Sequence, residues 1–437
     1  MNFQFFVLVM FVVVASPYQC VRLKHIRPSF NVLDYGAVGN GKNDETRAFV
    51  DAWKDTCIAM HESSTLLIPK GKTFMLQPVW FQGPCNSSNI YVKLEGTIIA
   101  PKNIEAWKWP NDNYKGSWIR FIEISGLIVY GGGIIDGKGA QWWDCHSNIK
   151  CEKENPTALH FHACENLILR ELTHINSPRN HISLNACHGS HISKLHIIAP
   201  NESPNTDGID IAESSNIIIE NSKIETGNSH KESLTNSLSF RFDLETTIPI
   251  HRTVQHFAWE SRESDDCIAI NHGSNSIYIN GIFCGPGHGI SVGSLGRNGV
   301  HESVENIYVR NCTFNRTTNG ARIKTWIGGN GYARKVTFED IILIEADNPV
   351  IIDQEYNPYD SAYAVKVSDV TFRNIRGTSI AKHAIQLHCD EDITCTNIIL
   401  EGINITSSIG EEVHASCKNV NGVCTSCIPY VPCLSLE

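Results

Sequence analysis

Residues 167–226 read LILRELTHINSPRNHISLNACHGSHISKLHIIAPNESPNTDGIDIAESSNIIIENSKIET. Three short, β-branched, alternating runs open at Leu167, Ile192 and Ile217, evenly spaced, and Asn or Gly often follows such a run. Runs of the same kind open at Ile277, Ile307, Val336, Val370 and Ile398. Alternation without helical periodicity, repeated at roughly 20 to 50 residues, is the mark of a β-solenoid. One coil cannot bury its inward row, so coils stack and share a continuous core. The expected fold is all-β and single-domain, although 437 residues alone would suggest two or three globules. A sandwich would show a turn signal every ~8 to 12 residues, whereas here several strands sit between repeats.

The step from Ile217 to Ile277 is out of series, twice as long as its neighbours. Within it, the segment 228–264 carries six Ser, mixed charge and no strand alternation, and without this segment the step shrinks to one ordinary coil. The segment reads as an insertion, either an extruded loop or a translated non-coding stretch. Loop-closure entropy grows slowly with length, so the solenoid tolerates it.

Ahead of the repeats, DETRAFVDAWKDTCIAM (44–60) places Phe49, Val50, Trp53 and Cys57 on a helical stripe. A short capping helix there would cover the N-terminal strand edge, which otherwise invites aggregation. At the other end, residues 410–437 hold Cys417, Cys424, Cys427 and Cys433, read as a disulfide-tied cap. A four-cysteine zinc site is the alternative, disfavoured because secreted chains oxidise such clusters.

The charge balance of 36 Lys+Arg against 46 Asp+Glu gives −10, without a basic run. That excludes nucleic-acid binding, which needs clustered positive charge. With 42% hydrophobic and 19% charged residues the chain can bury a core. Sixteen cysteines and sequons at Asn86, Asn201, Asn311, Asn315 and Asn404 point to an oxidising, secretory route and a glycoprotein. Phe5 to Ala15 is an apolar run too short to span a bilayer, so residues 1–20 are expected to be a cleaved signal peptide. The remainder, 28–437, is expected as a secreted, extracellular monomer with no membrane contact after cleavage.

Four polar clusters interrupt the repeats: 205–210 (NTDGID), Asp265-Asp266, Gly287-His288-Gly289 and Arg322-Ile323-Lys324. Taken singly, they read as a turn, a solvated corner, a second turn and the outer face of a strand. Their spacing makes the joint case. Net of the insertion, the steps from Asp207 to Asp266, on to His288, on to Arg322 and on to Tyr356 are each about one coil. The clusters therefore fall in a column, with rungs ~4.8 Å apart. Crowded carboxylates push their pKa values apart, giving an acid and a base from one residue type.

At these residues the chain resembles the polygalacturonases of glycoside hydrolase family 28, plant members above all. The resemblance runs from FNVLDYGAVGNGKNDETRAF through GGGIIDGKGAQWWD (131–144), SPNTDGIDI, DDCIAI, GHGISVGSLG, RIKTW and NPVIIDQEY, in that order. It implies a right-handed parallel β-helix that hydrolyses α-1,4 bonds of polygalacturonate, the pectin of plant cell walls, with inversion and with neither metal nor cofactor. By position it implies Asp265 as general acid, Asp207 and Asp266 as activators of water, and His288 as the group that sets the acid's protonation. Asn205 and Tyr356 would shape the substrate site, and Arg322 with Lys324 would grip the galacturonate carboxylate. The last role also makes physical sense, because a net-negative protein needs local cations to hold a polyanion. Resemblance and one-coil spacing together suggest a disulfide between Cys267 and Cys284, and Cys389 with Cys395 is the next local pair.

Carboxylates one rung apart, at ~5 Å, would by the general rule suggest retention rather than inversion, unless side chains splay. Two other functions compete. A β-helix polysaccharide lyase would share the fold and use the Asp-rich stripe for Ca2+, and a pectin-binding solenoid disabled by the insertion would bind without turnover.

Overall fold

The computed structural model describes residues 27–110, 115–147, 155–200, 203–227, 265–356 and 363–436. The expected signal peptide (1–20), the sequon at Asn201 and the inserted segment (228–264) lie outside them. The chain winds into a right-handed β-helix whose successive coils pair in parallel. One face is an 11-stranded sheet. Its strands are numbered here β1 (Val79–Gln82), β2 (Ser117–Ile122), β3 (Thr157–His162), β4 (Ile182–Asn185), β5 (Ile209–Ala212), β6 (Ile268–Ile270), β7 (Ile290–Leu295), β8 (Asn319–Thr325), β9 (Asn348–Asp353), β10 (His383–His388) and β11 (His414–Lys418). Twenty-three strands make up the remaining faces, joined where long strands such as Asn330–Ala346 run through a corner.

The repeat in the sequence has a backbone cause. Leu167, Ile217, Ile277, Ile307, Val336, Val370 and Ile398 each follow a residue held at φ between 53° and 58°: Asn166, Asn216, Ser276, Asn306, Lys335, Asp369 and Asn397. Short polar side chains tolerate this left-handed bend best, which explains the Asn at so many corners. The bend turns the apolar residue that follows it inward. Ile217, Ile277, Ile307, Val336, Val370 and Ile398 then stack in one register, each at most 1% exposed. Burying each such side chain contributes roughly 1.5–3 kcal/mol relative to leaving it in water.

Ile192 departs from the expected alignment. It pairs with Leu169 and Ile219 rather than with Leu167 and Ile217. The left-handed residue at the matching corner of that coil is Gly189, three positions before Ile192 instead of one. The register moves by an even number of positions, so Ile192 still faces inward.

The two coils flanking the inserted segment are direct neighbours. Ile217 pairs with Ile277, and Ile209 with Ile268, without a break in register.

The expected capping helix is α1, Thr46–Ile58. It seats Phe49 against Phe74 at 5.3 Å and Trp53 against Phe81 at 5.3 Å. Val50, placed on the apolar stripe from sequence, is 38% exposed, and Ala48, Ala52 and Thr56 are buried in its stead. The stripe centres on residues 49, 52, 53 and 56, which leaves position 50 at its margin. A second helix, α2 (Ala140–Ser147), begins within the GGGIIDGKGAQWWD stretch, runs three residues past it and was not expected. At the far end, disulfides join Cys417 to Cys433 and Cys424 to Cys427.

Candidate active site

Ile182, Ile209, Ile268 and Ile290 pair in series across β4, β5, β6 and β7. Two positions ahead of each stand Asn180, Asp207, Asp266 and His288, one functional side chain per coil at one repeated position. The parallel ladder reaches back to hold them. His181 donates its N–H to Asp207 O at 2.7 Å, Gly208 to Asp266 O at 2.9 Å, and Cys267 to Gly289 O at 2.8 Å. Gly208 is required here, because a Cβ on it would lie 2.5 Å from both Cys267 O and Ile224 Cγ2. The Cys267–Cys284 disulfide ties the start of β6 to the end of its own coil.

Asp266 is fully buried and carries most of the site's electrostatics. Lys324 Nζ donates to its Oδ2 at 2.9 Å, and Arg322 Nη2 and Ser291 Oγ donate to its Oδ1 at 2.6 and 2.8 Å. Arg322 Nε also donates to Ser291 Oγ at 2.7 Å. Asp210, Ala269, Ser291 and Arg322 form one outward row across β5 to β8, and small side chains at 269 and 291 let the guanidinium reach back two rungs. Burial alone would keep Asp266 neutral, but Arg322 and Lys324 outweigh it and hold the carboxyl well below the usual range.

Its neighbour in sequence is held in the opposite state. Asp265, 2% exposed, is pushed up to about 8, first by burial and with help from Asp266's charge, even though the backbone N–H groups of Thr206 and Asn205 favour ionisation. The Thr206 N–H lies 2.8 Å from Asp265 Oδ1. His288 is buried and neutral, its pKa lowered to about 4 by burial and then by Arg322.

Asp207 keeps some contact with solvent and accepts the Asp266 backbone N–H at 2.5 Å. Burial of its carboxyl, then the charges of Asp210, Asp266 and Asp265, raise its pKa well above the ordinary value. Asp210 is itself pushed up to about 6 by burial, against the pull of Arg179, and its carboxyl accepts from Asn180 Nδ2.

The residues expected from sequence therefore lie close together. Asn205, at φ 56°, contributes backbone to the Asp265 carboxyl. Arg322 and Lys324 are only 7% and 4% exposed and direct their charge at Asp266. The ring of Tyr356 lies 5.4 Å from Lys324 Nζ and packs edge-on against Trp326 at 5.8 Å. Cys389 is bonded to Cys395. Asn86, Asn311 and Asn404 are exposed, whereas Asn315 is half-buried and the Thr317 of its sequon is buried. Sequence reasoning gave no role to Asp210, which it placed in the 205–210 cluster, and did not single out Asn180 or Ser291. The outward alternation of β5 and β7 was the available signal for Asp210 and Ser291.

A parallel β-helix whose adjacent carboxyls are pushed toward opposite protonation states, with a third carboxyl beside them, has the construction of an acid/base hydrolase. The chain matches the family model described as Glycosyl hydrolases family 28 over residues 57–230 and 258–427. It belongs to that family. It is 41% identical over 419 residues to a probable polygalacturonase of Arabidopsis thaliana, covering 94% of this chain and 81% of the relative. It is 35% identical over 410 residues to a polygalacturonase of Gossypium hirsutum, covering 92% and 89%. Among solved structures it resembles endo-xylogalacturonan hydrolase from Aspergillus tubingensis, with a TM-score of 0.69 at 23% identity over 94% of this chain and 98% of that one. At that identity the likeness speaks for the fold. The break in the family match, 231–257, falls inside the inserted segment.

Proposed function

We propose that this family 28 hydrolase is a secreted polygalacturonase that cleaves α-1,4-galacturonosyl bonds of pectin in the plant cell wall with inversion. The observation that carries the reading is the placement of buried Asp265, whose carboxyl accepts the Thr206 N–H, beside buried Asp266, whose carboxyl is held by Arg322 and Lys324. Asp265 gives its proton to the leaving glycosidic oxygen. A water attacks the anomeric carbon from the other side and loses its proton to Asp266, with Asp207 beside it to orient the water. Proton exchange with solvent then restores both carboxyls. Arg322 and Lys324 keep Asp266 ionised and share their charge with the substrate carboxylate, while Asn205 and Tyr356 border the site. The names of the relatives support the substrate.

Secretion is supported by five disulfides among the described residues. No helix of the described residues is long and apolar enough to cross a membrane. The test is incubation of the purified chain with polygalacturonate. New reducing ends without ultraviolet absorbance from unsaturated products mark the hydrolase, absorbance marks a lyase, and binding without either marks a disabled binder.

A further inference from the structure

We propose that Arg179 binds the carboxylate of a galacturonate unit beyond the scissile bond, an inference that rests on the polygalacturonase reading. Ser177, Pro178, Asn180 and His181 are all buried, and Arg179 between them is exposed. The backbone around it is fixed. Trp143 Nε1 donates to Ser177 O at 3.0 Å, Asn155 Nδ2 to Pro178 O at 3.1 Å, Ser177 Oγ to Asn180 O at 2.9 Å, and Ala158 N to the same oxygen at 3.0 Å. His181 N completes the frame through Asp207 O at 2.7 Å. One guanidinium thus stands on a rigid pedestal joined by hydrogen bonds to a candidate catalytic strand.

Its direction follows from its neighbours. Asn180, next in sequence, holds Asp210, whose side chain points out of the β5 face, and the charge of Arg179 acts on that same carboxyl. Among the described residues Arg179 makes no hydrogen bond or ion pair of its own, in contrast to Arg322 and Lys324, which are engaged by Asp266. Asn180 occupies the repeated position one rung before Asp207 and two before Asp266. Arg179 therefore starts about 10 Å from the reacting carboxyls at ~4.8 Å per rung. That separation, with Asn180 and Asp207 in between, suits a sugar further along the chain. Its backbone is fixed before binding, so only side-chain freedom is lost when the guanidinium engages a ligand.

The test compares Arg179→Gln and Arg179→Lys with the parent chain in turnover and in binding. On polygalacturonate, Arg179→Gln is expected to raise KM about 10-fold, the scale of one charge-assisted hydrogen bond, with kcat within about twofold. Arg179→Lys should recover part of the loss, and the loss should shrink as methyl-esterification of the substrate rises. An unchanged KM, a fall in kcat alone, or equal losses at every degree of esterification would overturn the proposal. Equilibrium binding of hexagalacturonate is measured in parallel on Asp265→Asn chains, which do not consume it. If the parent chain releases no reducing ends, the polygalacturonase reading fails, yet about 10-fold weaker hexagalacturonate binding by the Arg179→Gln chain still supports Arg179. Equal binding rejects it. Unchanged thermal midpoints in both variants show that the fold is intact.

Discussion

Asp265 and His288 are joined by two reciprocal hydrogen bonds: the Asp265 backbone N–H donates to His288 Nδ1 at 3.1 Å, and the His288 backbone N–H donates to Asp265 O at 2.9 Å. Because Nδ1 accepts, the proton of the neutral ring sits on Nε2. The imidazole is thereby fixed as a neutral prop under the acid, and the acid's backbone cannot shift without breaking it.

This relationship separates two substitutions of His288. His288→Asn keeps an acceptor near the Nδ1 position and is expected to retain the fold and a measurable fraction of activity. His288→Ala leaves the buried Asp265 N–H without that partner, at a cost of about 1–3 kcal/mol, and should lose more activity. Thermal denaturation and turnover of the two variants side by side check this; equal behaviour would mean that the ring nitrogen does not matter.

Asp265→Asn should reduce turnover by at least about 100-fold, since an amide cannot donate the proton. It should also raise the thermal midpoint. A carboxyl held near 8 in the folded chain but titrating at its ordinary value when unfolded makes stability fall as pH rises between those values. The amide removes that slope, so the gain should be absent near pH 3 and grow up to about pH 8. Denaturation of both proteins across that range reads the effect, and a constant difference would contradict the raised pKa. In the parent enzyme kcat/KM should decline above about pH 8, where the acid loses its proton.

Lys324→Met leaves the Asp266 charge buried with Arg322 as its remaining cation. A loss of about 3 kcal/mol is expected, at the lower end of what a broken buried pair costs because Arg322 stays. Adding Asp266→Asn should restore much of the stability and none of the activity. Urea denaturation of the single and double variants measures the coupling; additive losses would show that the pair is not the source of the cost.

Deleting residues 228–264 should leave stability no lower and activity at least equal to that of the full chain. The ends already meet: Thr226 Oγ1 donates to Asp265 O at 3.0 Å, and the coils on either side pair in register. The family match also breaks within this stretch. Expression of both forms, compared for thermal midpoint and polygalacturonate cleavage, decides; a deletion that misfolds or is less active would make the segment part of the working protein.

The solenoid was readable because the first inward residue of most coils follows a backbone corner, and Asn at a corner is a local signal. The alignment of Ile192 was not readable, because the corner of that coil moved to Gly189, and spacing between apolar residues does not reveal where the chain bends. Asp207, Asp266 and His288 stood out through one-coil spacing, once the inserted segment had been subtracted. Asn180 shares their repeated position but looks like any corner asparagine until its contact with Asp210 is seen. The engagement of Arg322 and Lys324 by Asp266 was equally hidden. It depends on the small side chains at 269 and 291, two rungs of open space that only the stacked structure reveals.

The most direct test of the central claim is a proton NMR time course of polygalacturonate digested by the purified chain. The acid/base arrangement of Asp265 and Asp266 predicts new reducing-end signals that appear first as the β-anomer and later equilibrate, the sign of inversion at an α-linked bond. First appearance of the α-anomer, signals from an unsaturated product, or no new reducing ends at all would contradict it.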